Sequence, residues 1–120
     1  MSNRKTSSAA ALTLPPTPVD ISLFEEGGVI AMRTAEGLAV YRYDRDVDGK
    51  SNCIDACSRE WPPVLASGGA RRVGDWITIK RSDDTLQWTY RGKPVYTFAH
   101  DVPGRTQGDG VGGVWHLLTP

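Results

Sequence analysis

Apolar and polar residues alternate over short stretches along most of this chain, and turn residues separate the stretches. The alternation is clearest where Leu86, Trp88 and Tyr90 are separated by polar residues. This is the two-residue period of a half-buried β-strand, and no stretch keeps the spacing of an amphipathic helix for three turns. The pattern predicts strands at 29–33, 38–43, 76–80, 86–90, 95–98 and 114–118.

Turn signals join these strands into hairpins. Gly37 and Gly92 each follow a predicted strand, and glycine accepts the positive φ that a tight hairpin turn requires. Only 51–60 is predicted to form a short helix, with Ser51 or Asn52 as its N-cap. The predicted fold class is mainly β: a small antiparallel β-domain built from two duplicated hairpin units, with one short helical turn around the cysteines.

The basis for duplication is a motif of two aromatic residues and an aspartate that recurs 55 residues later. The two copies are Tyr41, Tyr43 and Asp46, and Tyr96, Phe98 and Asp101. Upstream, Thr34 and Gly37 match Thr89 and Gly92 in the same register, and downstream each copy reaches a tryptophan, Trp61 or Trp115. A fixed-period echo marks a duplicated supersecondary unit. We therefore predict repeat units at about 28–64 and 84–118.

The aromatic residues of the motif have two interpretations. Within each copy they lie two positions apart, so they share one face of a strand. Because aromatic residues dominate the energetics of β cores, we expect all four rings to be largely buried. The alternative is an exposed aromatic strip that contacts a ligand or a partner.

Composition and charge exclude several classes of protein. Lys plus Arg and Asp plus Glu are balanced at 14 each in 120 residues, whereas nucleic-acid binding and polybasic membrane contact need clustered positive charge. No apolar run approaches the roughly 18 to 20 residues of a membrane span. Residues 1–20 are rich in Ser, Ala, Thr and Pro and have no aromatic residue. They predict a disordered tether, followed by a single domain at 21–120.

Cys53 and Cys57 are the two cysteines of the chain. Their C-x-x-x-C spacing matches neither haem attachment nor a zinc finger. Two cysteines in a short polar loop predict a local disulfide if the compartment is oxidising. Free structural thiols and a metal or redox role are the alternatives.

The run Asp44-x-Asp46-x-Asp48-Gly49 carries the most specific chemistry. Carboxylates at positions 1, 3 and 5 with glycine at 6 are typical of a calcium loop, and Asp55 falls at position 12. An Asp- and Gly-rich stretch after a strand is also typical of a solvated turn, which is the outcome we expect. We therefore expect no cofactor, and calcium is the candidate that this run supplies.

The two histidines, His100 and His116, are interpreted as surface or hydrogen-bonded residues. The alternative is a shared soft-metal or haem site with Met32. The glycine-rich stretch 108–113 lacks the strand–loop–helix context of a phosphate cradle and is interpreted as a flexible loop. No nucleophile, base and orienting group stand at a recognisable spacing, so no catalytic residue is predicted.

Several further motifs stand in a fixed order along the chain. They are Ser51-x-Cys53-x-x-x-Cys57, Trp61-Pro62-Pro63, Gln87-Trp88-Thr89-Tyr90-x-Gly92-x-Pro94-Val95-Tyr96, and Gly108-Asp109 before Trp115. With the duplicated motif they resemble the bacterial secreted repeat of unknown function, a lipoprotein family with a conserved Y-x-[FWY]-x-x-D motif. The resemblance runs from about residue 28 to 118. It implies an exported β-module with a bonded cysteine pair, and it supplies no catalytic residues.

The predicted function is a non-enzymatic binding or interaction module of the bacterial envelope. Its partner would be an unknown envelope protein or a small ligand, with no nucleic acid and no membrane span. The alternative is a metal- or haem-associated accessory protein in periplasmic redox traffic, which would use His100, His116 or the Asp44 loop. The expected location is periplasmic or extracellular, although the chain shows neither an export signal nor a cysteine near its N-terminus for lipidation.

Overall fold

The computed structural model describes residues 14–120 and shows a mainly β fold with two antiparallel sheets. The elements in chain order are β1 (Ile21–Glu26), β2 (Val29–Thr34), β3 (Tyr41–Tyr43), α1 (Ala56–Glu60), β4 (Trp76–Lys80), β5 (Leu86–Tyr90), β6 (Lys93–Tyr96), a 3-10 turn (Val111–Gly113) and β7 (Trp115–Leu117). β1 and β2 form a two-stranded sheet, and the order of the five-stranded sheet is β4-β5-β6-β3-β7. The predicted fold class is confirmed. No helix in the described part of the chain is long and apolar enough to cross a membrane.

Strands β4 and β5 have the bounds that alternation predicted, whereas β1 was not predicted. Gly27 and Gly28 form the turn between β1 and β2, with φ values of 61° and 83°. Two consecutive residues with positive φ are typical of a type I′ hairpin turn. This Gly-Gly pair was the signal for the missed strand. Ile21 and Leu23, which alternate along β1, pack into the core.

The helix α1 is shorter than predicted and begins at Ala56. Neither Ser51 nor Asn52 caps it, because both side chains have other partners. The Ser51 hydroxyl lies 2.6 Å from the Tyr96 hydroxyl, and the Asn52 amide donates to the carbonyl of Arg45. The predicted cap positions therefore hold the loop before the helix.

The start of the domain lies close to the predicted end of the tether. Residues 1–13 of that tether lie outside the described residues. Pro18 is buried, and the Asp20 carboxylate accepts hydrogen bonds from the backbone N–H of Ser67 and from the Trp88 indole, each at 3.0 Å. Burial raises the pKa of Asp20, but the hydrogen bonds from Ser67 and Trp88 outweigh it and leave the pKa below its ordinary value. Asp20 thus fixes the chain at the entry to β1.

Two clusters of buried side chains form the core. The sheet cluster comprises Ile21, Met32, Val40, Val64, Trp76, Trp88, Tyr90, Val95 and Leu118. The aromatic cluster comprises Ala39, Tyr41, Cys53, Trp61, Tyr96 and Trp115, with Tyr43, Cys57, Phe98, Val114 and Leu117 packed against it. Each cluster takes residues from both predicted repeats, so neither repeat encloses a core of its own.

The two duplicated hairpins differ by one residue in their turns. Arg33 bridges to Ala39 in the first hairpin, and Thr89 pairs with Pro94 in the second. The first turn therefore holds one residue more, and it contains Gly37 at a φ of 92°. The in-register match that was predicted upstream of this glycine is wrong, because the structural equivalents there are 56 residues apart rather than 55.

Candidate functional site

The two copies of the motif lie on neighbouring strands of the five-stranded sheet, and they form hydrogen bonds with each other. Strands β3 and β6 are antiparallel neighbours, and Tyr41 stands directly opposite Tyr96. The Tyr41 hydroxyl donates to Asp101 Oδ2 at 2.5 Å, and the Tyr96 hydroxyl donates to Asp46 Oδ2 at 2.7 Å. Each tyrosine therefore binds the aspartate of the other repeat. We call these two contacts the crossed Tyr–Asp bonds.

The second oxygen of each aspartate orders the loop that follows it. Asp46 Oδ1 accepts the backbone N–H of Asn52 at 2.6 Å, and Asp101 Oδ1 accepts that of Gln107 at 2.8 Å. In both repeats the donor lies six residues after the aspartate. The motif aspartate thus joins its own loop to the opposite repeat.

The remaining rings of the motif build one continuous stack with the two tryptophans. Ring centroids lie 4.1 Å apart for Tyr43 and Trp115, 3.8 Å for Trp115 and Trp61, and 4.2 Å for Trp61 and Phe98. The two indoles are within 3° of parallel. We call this arrangement of four rings the aromatic stack. Stacked aromatic pairs contribute roughly 0.5–1.5 kcal/mol beyond the area they bury.

Backbone hydrogen bonds also join each repeat to the other. The N–H of Val64 donates to the carbonyl of Val95 at 3.0 Å, and the N–H of Leu118 donates to that of Val40 at 2.8 Å. The segment after each tryptophan therefore lies along the strand of the opposite repeat. The two repeats are interlocked rather than set side by side.

Burial agrees with the core interpretation, and in each copy one ring is buried more deeply than the other. Tyr41 and Tyr96 are 0% exposed, whereas Tyr43 and Phe98 are half-buried at the two ends of the stack. Burial is the main cause that raises the pKa of both Tyr41 and Tyr96 well above the ordinary tyrosine range. All four rings therefore lie in or against the aromatic cluster, as the core interpretation predicts, and the second ring of each copy is less deeply buried because it ends the stack.

A model of the family described as a secreted repeat of unknown function matches residues 31–65 and 77–119. The chain belongs to this family. Each of the two matches to the secreted repeat contains one copy of the motif, and the resemblance that the motifs indicated is confirmed. The comparison with curated proteins and the comparison with solved structures each gave no match.

The structure of this secreted repeat does not bring the four candidate calcium ligands together. Asp44 contacts Arg42 and His116, at 2.7 and 2.6 Å, and Asp48 contacts Lys93 at 2.9 Å. Asp46 is held by the crossed Tyr–Asp bonds. Among residues 14–120 no group of three or more His, Cys, Asp and Glu side chains is placed to hold a metal ion. Calcium binding stays a prediction.

The residues of the alternative soft-metal site have separate surroundings. His100 Nε2 lies 2.6 Å from a Glu60 carboxylate oxygen, and His116 contacts Asp44. The hydrogen bond with His116 is the main cause that lowers the pKa of Asp44. Met32 is fully buried in the sheet cluster.

The glycine-rich stretch is bonded into the structure through its first three residues, and the N–H of Gly110 donates to the carbonyl of Trp115 at 2.7 Å. The N–H of Gly108 donates to the Tyr41 hydroxyl at 3.1 Å, and Asp109 Oδ1 accepts the N–H of Leu117 at 2.9 Å. A Cβ at Gly108 would lie 2.8 Å from the Trp61 ring. The first glycine is therefore required for close approach to the aromatic cluster, and the interpretation of the whole stretch as a flexible loop is wrong.

The two cysteines form the disulfide that was predicted. Cys53 is fully buried in the aromatic cluster, and Cys57 packs against that cluster. Cys53 lies seven residues after Asp46, which is the position of Gly108 in the second repeat. The disulfide loop is thus a feature in which the two repeats differ.

A cleft opens between this loop and the end of β4. It has a volume of about 220 Å³ and is lined by residues 49–51, Ile54 and residues 79–82. Its lining includes three cationic side chains, Lys50, Lys80 and Arg81, and no carboxylate. We call it the Arg81 cleft. Sequence reasoning missed it because its two sides are about 30 residues apart and carry no motif.

Three neutral acceptors fix the Arg81 guanidinium. Nη1 donates to Gln87 Oε1 at 2.7 Å and to Ser51 Oγ at 3.2 Å, and Nη2 donates to the carbonyl of Cys53 at 3.1 Å. Arg81 forms no ion pair with a carboxylate of the described residues. The arrangement holds a positive charge in place and leaves it without a counter-charge at contact distance.

Proposed function

We propose that this secreted repeat is a non-enzymatic binding module of the bacterial envelope, working in the periplasm or at the cell exterior. In this proposal the interlocked repeats are a rigid scaffold, and the ligand is bound by loops outside the duplicated motif. The secreted character of the family supports an extracytoplasmic place of work.

One observation carries the proposal: the Arg81 cleft combines a fixed, half-buried cation with an accessible cavity. The guanidinium is held by the Gln87 side chain on β5 and by the Cys53 carbonyl in the disulfide loop. Binding sites in proteins are concave and contain a few polar groups that are already placed. The cleft fits this description in chemistry, although its volume of about 220 Å³ suits only a small ligand or the end of a larger one.

The duplicated motif itself is used inside the protein. The hydroxyls of Tyr41 and Tyr96 and both aspartates of the motif bond to each other or to loop backbone. Four aromatic rings pack on one another in the aromatic stack. These groups supply stability and shape, so a ligand that docked on them would have to displace existing contacts.

The proposal is tested by two-dimensional ¹H–¹⁵N NMR of the full chain with a library of neutral, cationic and anionic fragments. We expect fragments to shift the amide signals of residues 49–54 and 79–82 and to leave the indole signals of Trp61 and Trp115 unchanged. Shifts confined to the aromatic stack, or a library in which no fragment moves the cleft signals, would refute a binding role for this cleft.

A further inference from the structure

We propose that the Arg81 cleft binds a small organic oxyanion, a carboxylate or a phosphate monoester, through the Arg81 guanidinium. Lys50 and Lys80 add to the positive potential of the cleft. This inference rests on the proposed function and names the chemical class of its ligand.

The first argument is the balance of charge around the cleft. Of its three cations, Lys80 has one ion pair, to Asp84 at 3.4 Å, and both side chains are largely exposed, at 68% and 82%. An exposed pair of this kind contributes little and exchanges readily. Asp46 and Asp83 lie close enough to feel the charge of Arg81, but both carboxylates are bound to other groups. The field in the cleft therefore favours an anion.

The second argument is the number of donors that Arg81 has left. A guanidinium carries five N–H groups in a planar fork. Three of them donate to Ser51, Gln87 and the carbonyl of Cys53. The other two, on Nε and Nη2, have no acceptor among residues 14–120. Adjacent guanidinium nitrogens match the two oxygens of a carboxylate or phosphate, and these charge-assisted bonds are the strong ones.

The third argument is the immobility of Arg81. Gln87 is fully buried, and its Nε2 donates to the carbonyl of Val95 at 2.9 Å, so the acceptor that holds Arg81 is itself fixed. An arginine loses considerable rotamer freedom when it is ordered, and here the fold has already ordered it. Binding an anion therefore costs less conformational entropy than it would at a free surface arginine.

The apolar lining and the volume of the cleft together restrict the ligands that it can hold. Ile54 is 50% exposed and Ile79 is half-buried, and both line the cleft beside the cations. A volume of about 220 Å³ equals the liquid volume of about seven water molecules. The site therefore suits an oxyanion that carries a short hydrocarbon group, rather than a bare inorganic ion or a large cofactor.

The test is the affinity of the full chain for isobutyrate, methyl phosphate and isobutyramide, measured by NMR titration at low and moderate salt. Isobutyramide is the neutral control for isobutyrate, since it has nearly the same shape. We expect one or both anions to bind the cleft at least about tenfold more tightly than the amide, and to weaken as salt rises. The anion that binds more tightly shows whether the cleft prefers a carboxylate or a phosphate monoester.

Variants separate ligand binding from a structural role of Arg81. Arg81→Gln should weaken anion binding by about tenfold or more, which corresponds to about 1.4 kcal/mol of binding free energy. Lys50→Gln should weaken anion binding by a few fold. Arg105→Gln is the control, because it removes the same charge from an exposed position in the second repeat. Arg81→Lys keeps the charge and should retain part of the affinity.

Two results would overturn the inference. The first is equal binding of isobutyramide and isobutyrate. The second is anion binding that Arg105→Gln reduces as much as Arg81→Gln does, with both variants folded by circular dichroism. If only neutral or cationic fragments bind the cleft, the oxyanion class is wrong while the proposed binding function stands. If no fragment binds, both fail.

Discussion

Removing the hydroxyl of Tyr96 tests the crossed Tyr–Asp bonds with a change of one atom. Tyr96 is fully buried, and its hydroxyl donates to Asp46 Oδ2 at 2.7 Å. Tyr96→Phe keeps the ring and its edge contact with Trp115, whose centroid lies 5.2 Å away. The variant therefore removes the hydrogen bond to a half-buried carboxylate, together with the 2.6 Å contact to the Ser51 hydroxyl, and leaves the ring packing in place.

The expected loss is about 2 kcal/mol of unfolding free energy, since hydrogen bonds to charged groups contribute roughly 1.5–3 kcal/mol. With a urea m-value of about 2 kcal/mol/M, the unfolding midpoint should fall by about 1 M. Equilibrium urea unfolding followed by tryptophan fluorescence and by circular dichroism measures this shift. Agreement of the two signals checks that the transition is two-state.

Tyr43→Phe is the matched control, because Tyr43 belongs to the same motif and its hydroxyl has no hydrogen bond within residues 14–120. We expect its effect to stay within about 0.5 kcal/mol, as for a surface substitution. Equal losses for the two variants would contradict the argument, and so would a Tyr96→Phe variant that is as stable as the parent. A double-mutant cycle with Asp46→Asn isolates the pairwise energy, which should lie in the range of roughly 0.5–3 kcal/mol.

The same variant has a pH dependence with a defined sign. Burial is the main cause that raises the pKa of Asp46 above its ordinary value. The folded state therefore binds this proton more tightly than the unfolded chain, and this group's contribution to stability declines as pH rises through the window between the two pKa values. Tyr96→Phe removes a hydrogen bond to the charged form and raises the pKa further. The difference in stability between parent and variant should grow as pH rises from the folded-state pKa of Asp46 in the parent to its higher pKa in the variant, and it should shrink in acid.

Three further predictions address the disulfide, the stack and calcium. Intact mass should rise by two hydrogen atoms on reduction of the bond between Cys53 and Cys57, and two free thiols in unreduced protein would refute the disulfide. The Cys53→Ser variant should remain folded and lose unfolding free energy near the low end of ~0–5 kcal/mol, because the closed loop is short. The close contact of the two indoles should couple their electronic transitions, so Trp61→Phe should change the circular dichroism spectrum, whereas an unchanged spectrum would contradict the stack. Millimolar calcium should raise the melting temperature by mass action if the Asp44 loop binds it, and Asp46→Asn with Asp48→Asn should remove that rise. A melting curve indifferent to calcium and to chelator would leave a polar turn, and elemental analysis of untagged protein would test the redox alternative.

The sequence was sufficient to predict the duplication and every strand except β1, because both depend on local patterns. Alternation placed β4 and β5 at their observed bounds, and the 55-residue echo identified the two motif copies. β1 was missed because the Ser- and Pro-rich composition before it favoured a tether, and the Gly27-Gly28 turn was not weighed against that composition. Pattern reasoning works here where the signal and the structure occupy the same few residues.

The candidate site could not be predicted for the opposite reason. Tyr41 binds an aspartate 60 residues away rather than the one five residues away in its own motif. A repeated motif indicates that two units share a structure. It does not indicate whether the polar groups of each unit form hydrogen bonds within that unit or with the other unit. The Arg81 cleft likewise depends on a hydrogen bond from Arg81 to Ser51, which are 30 residues apart in the sequence. No rule of sequence spacing predicts this contact.

The interlocked arrangement of the repeats has a consequence for how such a fold can originate. The crossed Tyr–Asp bonds are reciprocal, and so are the backbone bonds of Val64 and Leu118, as in the isologous interface of a two-fold homodimer. Two separate chains of one motif copy each could form the same crossed bonds and the same indole pair. In such a dimer no residue would be needed to join the two halves, so the segment between Leu65 and Trp76 is the link that a single chain requires. The disulfide in one half and the glycine in the other are the positions where the present chain departs from that symmetry.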